Sequence, residues 1–165
     1  MRVLVLSDTH IPHRSRVLPD LVLEELARVD AVIHAGDFTS YVFYEELKIA
    51  KSPLYAVRGN MDEDDLYNLL PETLVFEIEG VKIGLYHGIG APWGIEKKVL
   101  DKFAEHPELN LIIFGHSHRP LKKQEGSVVL FNPGSPTDTI FAPQKSFGIL
   151  EIEGGNILKL EHVFL

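Results

Sequence analysis

Five short apolar runs in this chain each stop at a cluster of oxygen- and nitrogen-bearing side chains, and no other feature constrains the fold as tightly. Arg2–Leu6 leads into Ser7-Asp8-Thr9-His10, and Ala31–Ala35 leads into Gly36-Asp37. Leu54–Val57 leads into Arg58-Gly59-Asn60-Met61-Asp62. Val81–Tyr86 leads into His87-Gly88, and Leu111–Phe114 leads into Gly115-His116-Ser117-His118. Continuous runs of Val, Ile and Leu at this length read as strands buried on both faces. In an α/β sheet the strand C-termini form the ligand crevice. The pattern predicts an α/β fold in which five strands carry Asp8, His10, Asp37, Asn60, His87, His116 and His118 to one rim.

The segments between the runs support this reading. Leu18, Leu21, Val22 and Leu26 share one helical face, which predicts a helix over Pro19–Ala27. Ser40 can cap a second helix reaching Ala50, and Asp64–Leu70 reads as a short helix stopped by Pro71. Leu74–Ile78 and Val81–Tyr86 flank Glu79-Gly80 as a hairpin. A helix is expected over Ile95–Glu105, ending before Pro107. Two more hairpins are expected, Leu121–Gln124 with Val128–Phe131 and Ser146–Ile152 with Ile157–Leu165. The order βαβαβ followed by hairpins suggests two packed sheets with helices outside, in one domain over residues 1–165.

Composition narrows the chemistry. The chain has no cysteine, which excludes disulfides, thiolate metal sites and cysteine nucleophiles and fits a cytoplasmic location. The N-terminal apolar stretch is too short for a signal peptide, and no run is long enough for a membrane helix. Sixteen basic and 24 acidic residues give a net charge of −8, so nucleic acid is not expected as a specific partner. A ligand carrying phosphate would need a cation other than Lys or Arg, and a metal ion is the obvious one. The seven rim residues offer hard oxygen and imidazole nitrogen, suited to Mn²⁺, Fe²⁺, Zn²⁺ or Ni²⁺. Seven are too many for one catalytic ion with an open position, but suit two ions sharing one carboxylate.

Other candidates read more plainly. His34, inside an apolar run, is expected in the core, and His162 on a strand face is expected to be structural. His106 is expected at a helix end, and His13 in the loop after His10 either lines the site or is solvated. Arg14 and Arg58 are surface residues by default, with phosphate contact as the alternative, and Trp93 with Pro92 stands at a cleft lip or an interface. The stretch from His87 to Gly94 misses the dinucleotide spacing, and Pro92 intrudes.

Taken in order, Asp8-Thr9-His10, Gly36-Asp37, Gly59-Asn60-Met61-Asp62, His87-Gly88 and Gly115-His116-Ser117-His118 resemble the calcineurin-like metallophosphoesterases, in their short bacterial and archaeal phosphodiesterase branch. Asn132-Pro133-Gly134-Ser135 is also typical of that branch. The resemblance implies a four-layer αββα sandwich of two mixed sheets flanked by helices, with the metal site at the strand C-terminal ends. It implies a first divalent ion on Asp8, His10, Asp37 and His118, and a second on Asp37, Asn60, His87 and His116, with Asp37 bridging. Mn²⁺ is the leading candidate, with Ni²⁺, Fe²⁺, Zn²⁺ or Mg²⁺ as alternatives. The implied reaction is hydrolysis of a small phosphodiester or an activated phosphomonoester by a metal-bridging hydroxide. Asn60 and His87 are the implied catalytic pair. Gly59 and Gly115 are expected to permit close backbone approach or positive φ.

Many family members carry a histidine after Gly-Asn as general acid, whereas this chain has Met61, which carries no proton. Asp62 is expected to steady the Asn60 loop. The same stretches also resemble the retromer subunit built on this fold, a non-catalytic scaffold. That subunit lacks the Asp and Asn kept here as Asp37 and Asn60, so an enzyme is the favoured reading. Exposed Trp93, Ile95, Tyr41 or Phe141 is expected to form an apolar patch supporting a homodimer.

Overall fold

Alternation within the apolar strands decides which layer each side chain enters. The computed structural model describes residues Met1–Leu165. Its elements run β1 (Arg2–Leu6), α1 (Asp20–Arg28), β2 (Ala31–His34), α2 (Tyr41–Ala50), β3 (Leu54–Ala56), α3 (Asp64–Leu69), β4 (Thr73–Ile78), β5 (Val81–Tyr86), α4 (Ile95–Lys102), β6 (Leu111–Phe114), β7 (Leu121–Glu125), β8 (Val128–Asn132), β9 (Ser146–Glu153) and β10 (Asn156–Phe164). One sheet has the order β10-β9-β1-β2-β3, the other β4-β5-β6-β8-β7. Both are mixed. β1 lies parallel to β2 (Val3↔Ala31) and antiparallel to β9 (Val3↔Leu150), while β5, β6 and β8 run parallel.

Val3 and Val5 point between the sheets and meet Ile83, Leu85, Leu111, Ile113 and Phe131. Leu4 and Leu6, one residue out of phase, pack instead on Val22 and Leu26 of α1, Phe43 and Leu47 of α2 and Leu66 of α3. Ile112 and Phe114 face outward from the second sheet onto Ile95, Val99 and Phe103. The period of two along a strand thus feeds three separate apolar interfaces. The layers are helices, sheet, sheet and helix, the expected αββα sandwich.

The element boundaries follow the sequence closely, with one clear difference. The helix expected to reach Glu105 stops at Lys102, where Phe103 turns to φ −109° and ψ 19° and bonds Leu100 O at 3.1 Å. This tighter turn seats the Phe103 ring in the apolar cluster under α4. No helix is long and apolar enough to cross a membrane.

Candidate metal centre

The C-terminal ends of β1, β2, β3, β5 and β6 converge on one rim, and all seven expected residues reach it. Asp8 follows β1 and is fully buried. Its Oδ2 accepts from the Ser7 hydroxyl at 2.6 Å and from the His116 backbone N–H at 3.0 Å. Its Oδ1 shares the His116 N–H at 3.3 Å and faces His118 Nε2 at 3.2 Å, His87 Nε2 at 3.8 Å and His10 Nε2 at 3.9 Å. Asp37, after β2, is held in the same way. Its Oδ1 accepts from the Met61 N–H at 2.7 Å, and its Oδ2 faces His87 Nε2 at 3.3 Å and His10 Nε2 at 3.5 Å. One oxygen of each acid therefore anchors the loop while the other looks into the cluster.

The histidines are oriented to match. His87 Nδ1 donates to Ala35 O at 2.7 Å, which leaves Nε2 facing the acids and Asn60 Oδ1 (3.2 Å). Asn60 Oδ1 also meets His116 Nδ1 at 2.9 Å, and His116 Nε2 donates to Gly90 O at 2.6 Å. His10 Nε2 and His118 Nε2 stand 3.3 Å apart. Two tight sets result, Asp8-His10-His118 and Asp8-Asp37-His87, all buried. Asn60 and His116 extend the second set toward solvent.

The electrostatics show what such a cluster wants. Burial opposes charge on His87, but Asp37 and Asp8 outweigh it and push its pKa up to about 9. Burial likewise opposes charge on His118, and Asp8 and Asp138 push it up to about 9. His10 goes the other way, because burial dominates and keeps it neutral. Burial raises the Asp8 carboxyl, yet His87 and His118 together hold it far below the usual range. Without metal, protons on imidazoles neutralise the acids. The donor set, carboxylate oxygens and imidazole nitrogens with no Lys or Arg paired to either acid, fits divalent cations in place of those protons.

Residues 1–155 match the calcineurin-like phosphoesterase superfamily domain. The chain belongs to that superfamily. A probable metallophosphoesterase of Methanocaldococcus jannaschii is 38% identical over 155 residues, 93% of this chain and 77% of that protein. A Thermotoga maritima protein solved by solution NMR is 37% identical, covers 99% of both chains and superposes with a TM-score of 0.76. Vps29 of Entamoeba histolytica, solved as a zinc complex, is 31% identical over 99% of both chains, with a TM-score of 0.76.

In this superfamily member the backbone at the rim is strained. Asp8 (φ 53°), His10 (44°), Asp37 (59°), His116 (69°) and His118 (55°) all adopt left-handed conformations. Such positions cost on the order of 1 kcal/mol each or more and persist only where the surroundings over-determine them. Gly59 and Gly115 are explained by close approach alone, since neither has positive φ. A Cβ at Gly59 would sit 2.1 Å from Asp37 Oδ1, and one at Gly115 would sit 1.9 Å from Ser7 Oγ.

Asp62 does steady the Asn60 loop, accepting from the Gly59 N–H at 2.7 Å and the Thr39 N–H at 2.8 Å, while burial pushes its carboxyl up. His34 is a core residue. Its Nδ1 accepts from the Gly36 N–H at 3.2 Å, so Nε2 donates to Thr9 Oγ1 at 3.0 Å, and the ring stacks on Phe38 at 3.6 Å. Burial drives its pKa down to about 3. His162 donates to Asn132 O, and His106 pairs with Glu108 on the surface. Arg58 donates to Tyr67 O and lies over that ring, away from the main cleft.

The cleft over the cluster holds about 760 Å³ and takes in His13, Arg14, Met61, Trp93, Arg119 and Phe141 as well as His10, Asp37, Asn60, His116 and His118. Trp93 and Phe141, 80% and 61% exposed, therefore wall the cleft rather than form a separate patch. Ile95 does not join them. It is 2% exposed, because the first turn of α4 buries it against the second sheet.

A sixth strand contributes residues outside the set of seven. At the end of β8, Asn132 Nδ2 donates to Gly115 O at 2.9 Å and Ser117 Oγ at 3.0 Å. Ser135 Oγ donates to Asp8 O at 2.7 Å, and Thr137 Oγ1 to Thr9 O at 2.6 Å. Asp138 Oδ2 accepts from His118 Nδ1 at 2.5 Å. Burial raises the Asp138 carboxyl, but His118 and two backbone N–H groups bring it below the usual range. The one sequence signal was the Asn132-to-Ser135 turn. Asp138 lies three residues beyond it, on irregular chain with no periodicity to single it out.

Proposed function

We propose that this chain is a binuclear-metal-dependent phosphoesterase acting on small phosphodiesters or activated phosphomonoesters. The observation that carries the reading is Asp37 Oδ2, placed 3.3 Å from His87 and 3.5 Å from His10 with its partner oxygen already engaged. Asp8 Oδ1 also faces both sets, at 3.2 Å from His118, 3.8 Å from His87 and 3.9 Å from His10, while Asp37 Oδ2 stands nearer to both His87 and His10, which supports Asp37 as the bridge. Asp8, His10, Asp37 and His118 would hold one ion, and Asp37, Asn60, His87 and His116 the other. Such a pair of ions, Mn²⁺ first among candidates, supplies an acidified water and charge for the phosphoryl oxygens. Asn60 adds a neutral oxygen ligand, so the second set gains a donor without further negative charge. Arg14 and Arg119 in the cleft wall are placed to meet the ester's remaining anionic oxygen. The relatives, named probable metallophosphoesterases, support a phosphoesterase, and a cytoplasmic enzyme acting alone or as a dimer fits the reading. The Vps29 likeness favours a second reading, a scaffold that works by protein contact.

One experiment separates the two. The purified protein is assayed for bound metal and for Mn²⁺-dependent hydrolysis of a bis-aryl phosphodiester and an aryl phosphomonoester. The expected result is hydrolysis lost on chelation and abolished in Asp37→Ala, with metal content falling in that variant. Full metal content with no hydrolysis would support the scaffold. A second measurement concerns the leaving group. Met61 is 56% exposed in the cleft and offers no proton. Met61→His is expected to raise kcat/KM on alkyl esters by about 10²–10⁴-fold and on aryl esters very little. An unchanged slope across a leaving-group pKa series would show that water already donates the proton.

A further inference from the structure

Asp138 is a buried acid that the proposed reaction leaves without a task. Its side chain is wholly enclosed. Oδ1 accepts from the Ile140 N–H at 2.9 Å. Oδ2 accepts from the N–H groups of Phe141 (3.0 Å) and Ala142 (3.1 Å) and from His118 Nδ1 (2.5 Å). Its own N–H donates to Ser135 Oγ at 3.0 Å, on the turn whose hydroxyls hold the Asp8 and Thr9 carbonyls. Three backbone donors fix where this carboxylate stands. An acceptor fixed in that way dictates a proton on His118 Nδ1. The other nitrogen, Nε2, then faces Asp8 Oδ1 at 3.2 Å and His10 Nε2 at 3.3 Å. The same oxygen holds the N–H of Phe141, whose ring stands edge-on to His118 at 6.1 Å and walls the cleft.

We infer that Asp138 is a positioning residue for the metal centre: it fixes His118 with Nε2 as the metal-facing nitrogen and ties that ligand to the Phe141 wall of the cleft. The inference rests on reading the rim as a metal site, but not on catalysis. A carboxylate behind a ligating imidazole locks the ring against flipping and increases its basicity, and removing such a partner typically costs 10–100-fold in metal affinity. Asp138 stands behind only one of the four rim histidines. Its effect should therefore fall on the Asp8-His10-His118 set and spare the set built on Asp37 and His87.

The test is Asp138→Asn, read by zinc affinity. An amide keeps the shape but offers one acceptor. With its oxygen toward His118 and Phe141, the NH₂ confronts the Ile140 N–H; turned over, the NH₂ confronts Nδ1–H and the N–H groups of Phe141 and Ala142. Competition with a chelator should show the two zinc constants of the wild type, and Asp138→Asn should weaken one by about 10–100-fold while leaving the other unchanged. In zinc-loaded wild type, nitrogen-15 spectra of the histidine rings should show His118 protonated at Nδ1 and not at Nε2. In Asp138→Asn that Nδ1 proton should exchange faster. Phe141→Ala, which keeps the backbone N–H, should leave both constants unchanged. Equal weakening of both constants, or neither, would overturn the inference. Should Asp138→Asn fail to fold, a wild-type His118 lacking the Nδ1 proton would overturn it alone. Failure of the metal-site reading looks different, because the wild type itself would then bind no zinc.

Discussion

The two ends of the sandwich differ in how far they leave left-handed backbone to glycine. At the far end, the β4–β5 and β9–β10 hairpins meet, and Gly155 N–H donates to Glu79 O at 2.8 Å. There the positive-φ positions belong to Gly80, Gly154 and Gly155, with Glu79 (φ 45°) the exception. At the rim Gly36, Gly88, Gly90 and Gly134 take positive φ as well, but the same conformation is also forced on Asp8, His10, Asp37, His116 and His118. Glycine would relieve the strain at those positions but would remove the donor side chain. The difference teaches that the rim tolerates strain because hydroxyl, amide and imidazole donors hold each loop, while the far end has no such network and avoids strain by composition.

The largest break in that comparison should come from paired glycine substitutions. In Gly115→Ala the new methyl would meet Ser7 Oγ and Asp8 Oδ2 at 1.9 and 2.8 Å. It should cost about 1–3 kcal/mol in stability and lower metal affinity, since Asp8 must shift. In Gly154→Ala the methyl meets nothing within 4 Å, but φ is +55°. That should cost about 1 kcal/mol and leave metal binding untouched. Urea unfolding and zinc titration of both variants read the contrast, and equal metal affinity in the two would remove the special status of the rim.

pH sharpens it next. In chelated protein His87 and His118 are held at about 9 against 6.5 in the unfolded chain. The folded state therefore binds more protons between those values. The stability they contribute is full below pH 6.5 and is lost as pH rises through 9. His34, depressed to about 3, has the opposite sign. Its contribution is present above pH 6.5 and lost as pH falls toward 3. The effects are on the order of 3 kcal/mol for each of His87 and His118 and on the order of 5 kcal/mol for His34, so metal-free protein should be most stable near pH 6.5. Zinc, which competes with the His87 and His118 protons, should move that optimum upward. Urea midpoints across pH with and without zinc are the check, and an optimum indifferent to zinc would separate those histidines from the metal.

The smallest effect lies at the far end. Glu79 carries the one non-glycine left-handed residue there and a partly exposed contact to the N-terminal amine. Glu79→Asn, a residue that tolerates that conformation, should stabilise by a few tenths of a kcal/mol to about 1 kcal/mol. Zinc affinity should not change. A shift in it would show that the two ends are coupled.

Much of the site was legible before the fold. Asp8, His10, Asp37, Asn60, His87, His116 and His118 were readable because each follows an apolar run, and a strand end fixes where the next residues go. His34 was readable as core for the same reason, since it stands within such a run. Asp138 was not, because it sits on irregular chain and acts through a hydrogen bond to a residue 20 positions away. Ile95 was misplaced because burial at the first turn of a helix depends on which sheet face the helix meets.

The sequence by itself determined the strands, their order of use and the donors at their ends, because side-chain period and run length are local properties. Tertiary structure alone decided that Asp37 lies between two histidines and that five rim residues take left-handed backbones. It also decided that the turn after β8 braces Asp8 and His118. Those facts depend on two sheets meeting at one rim, and distances between separate strands are set only when the layers pack.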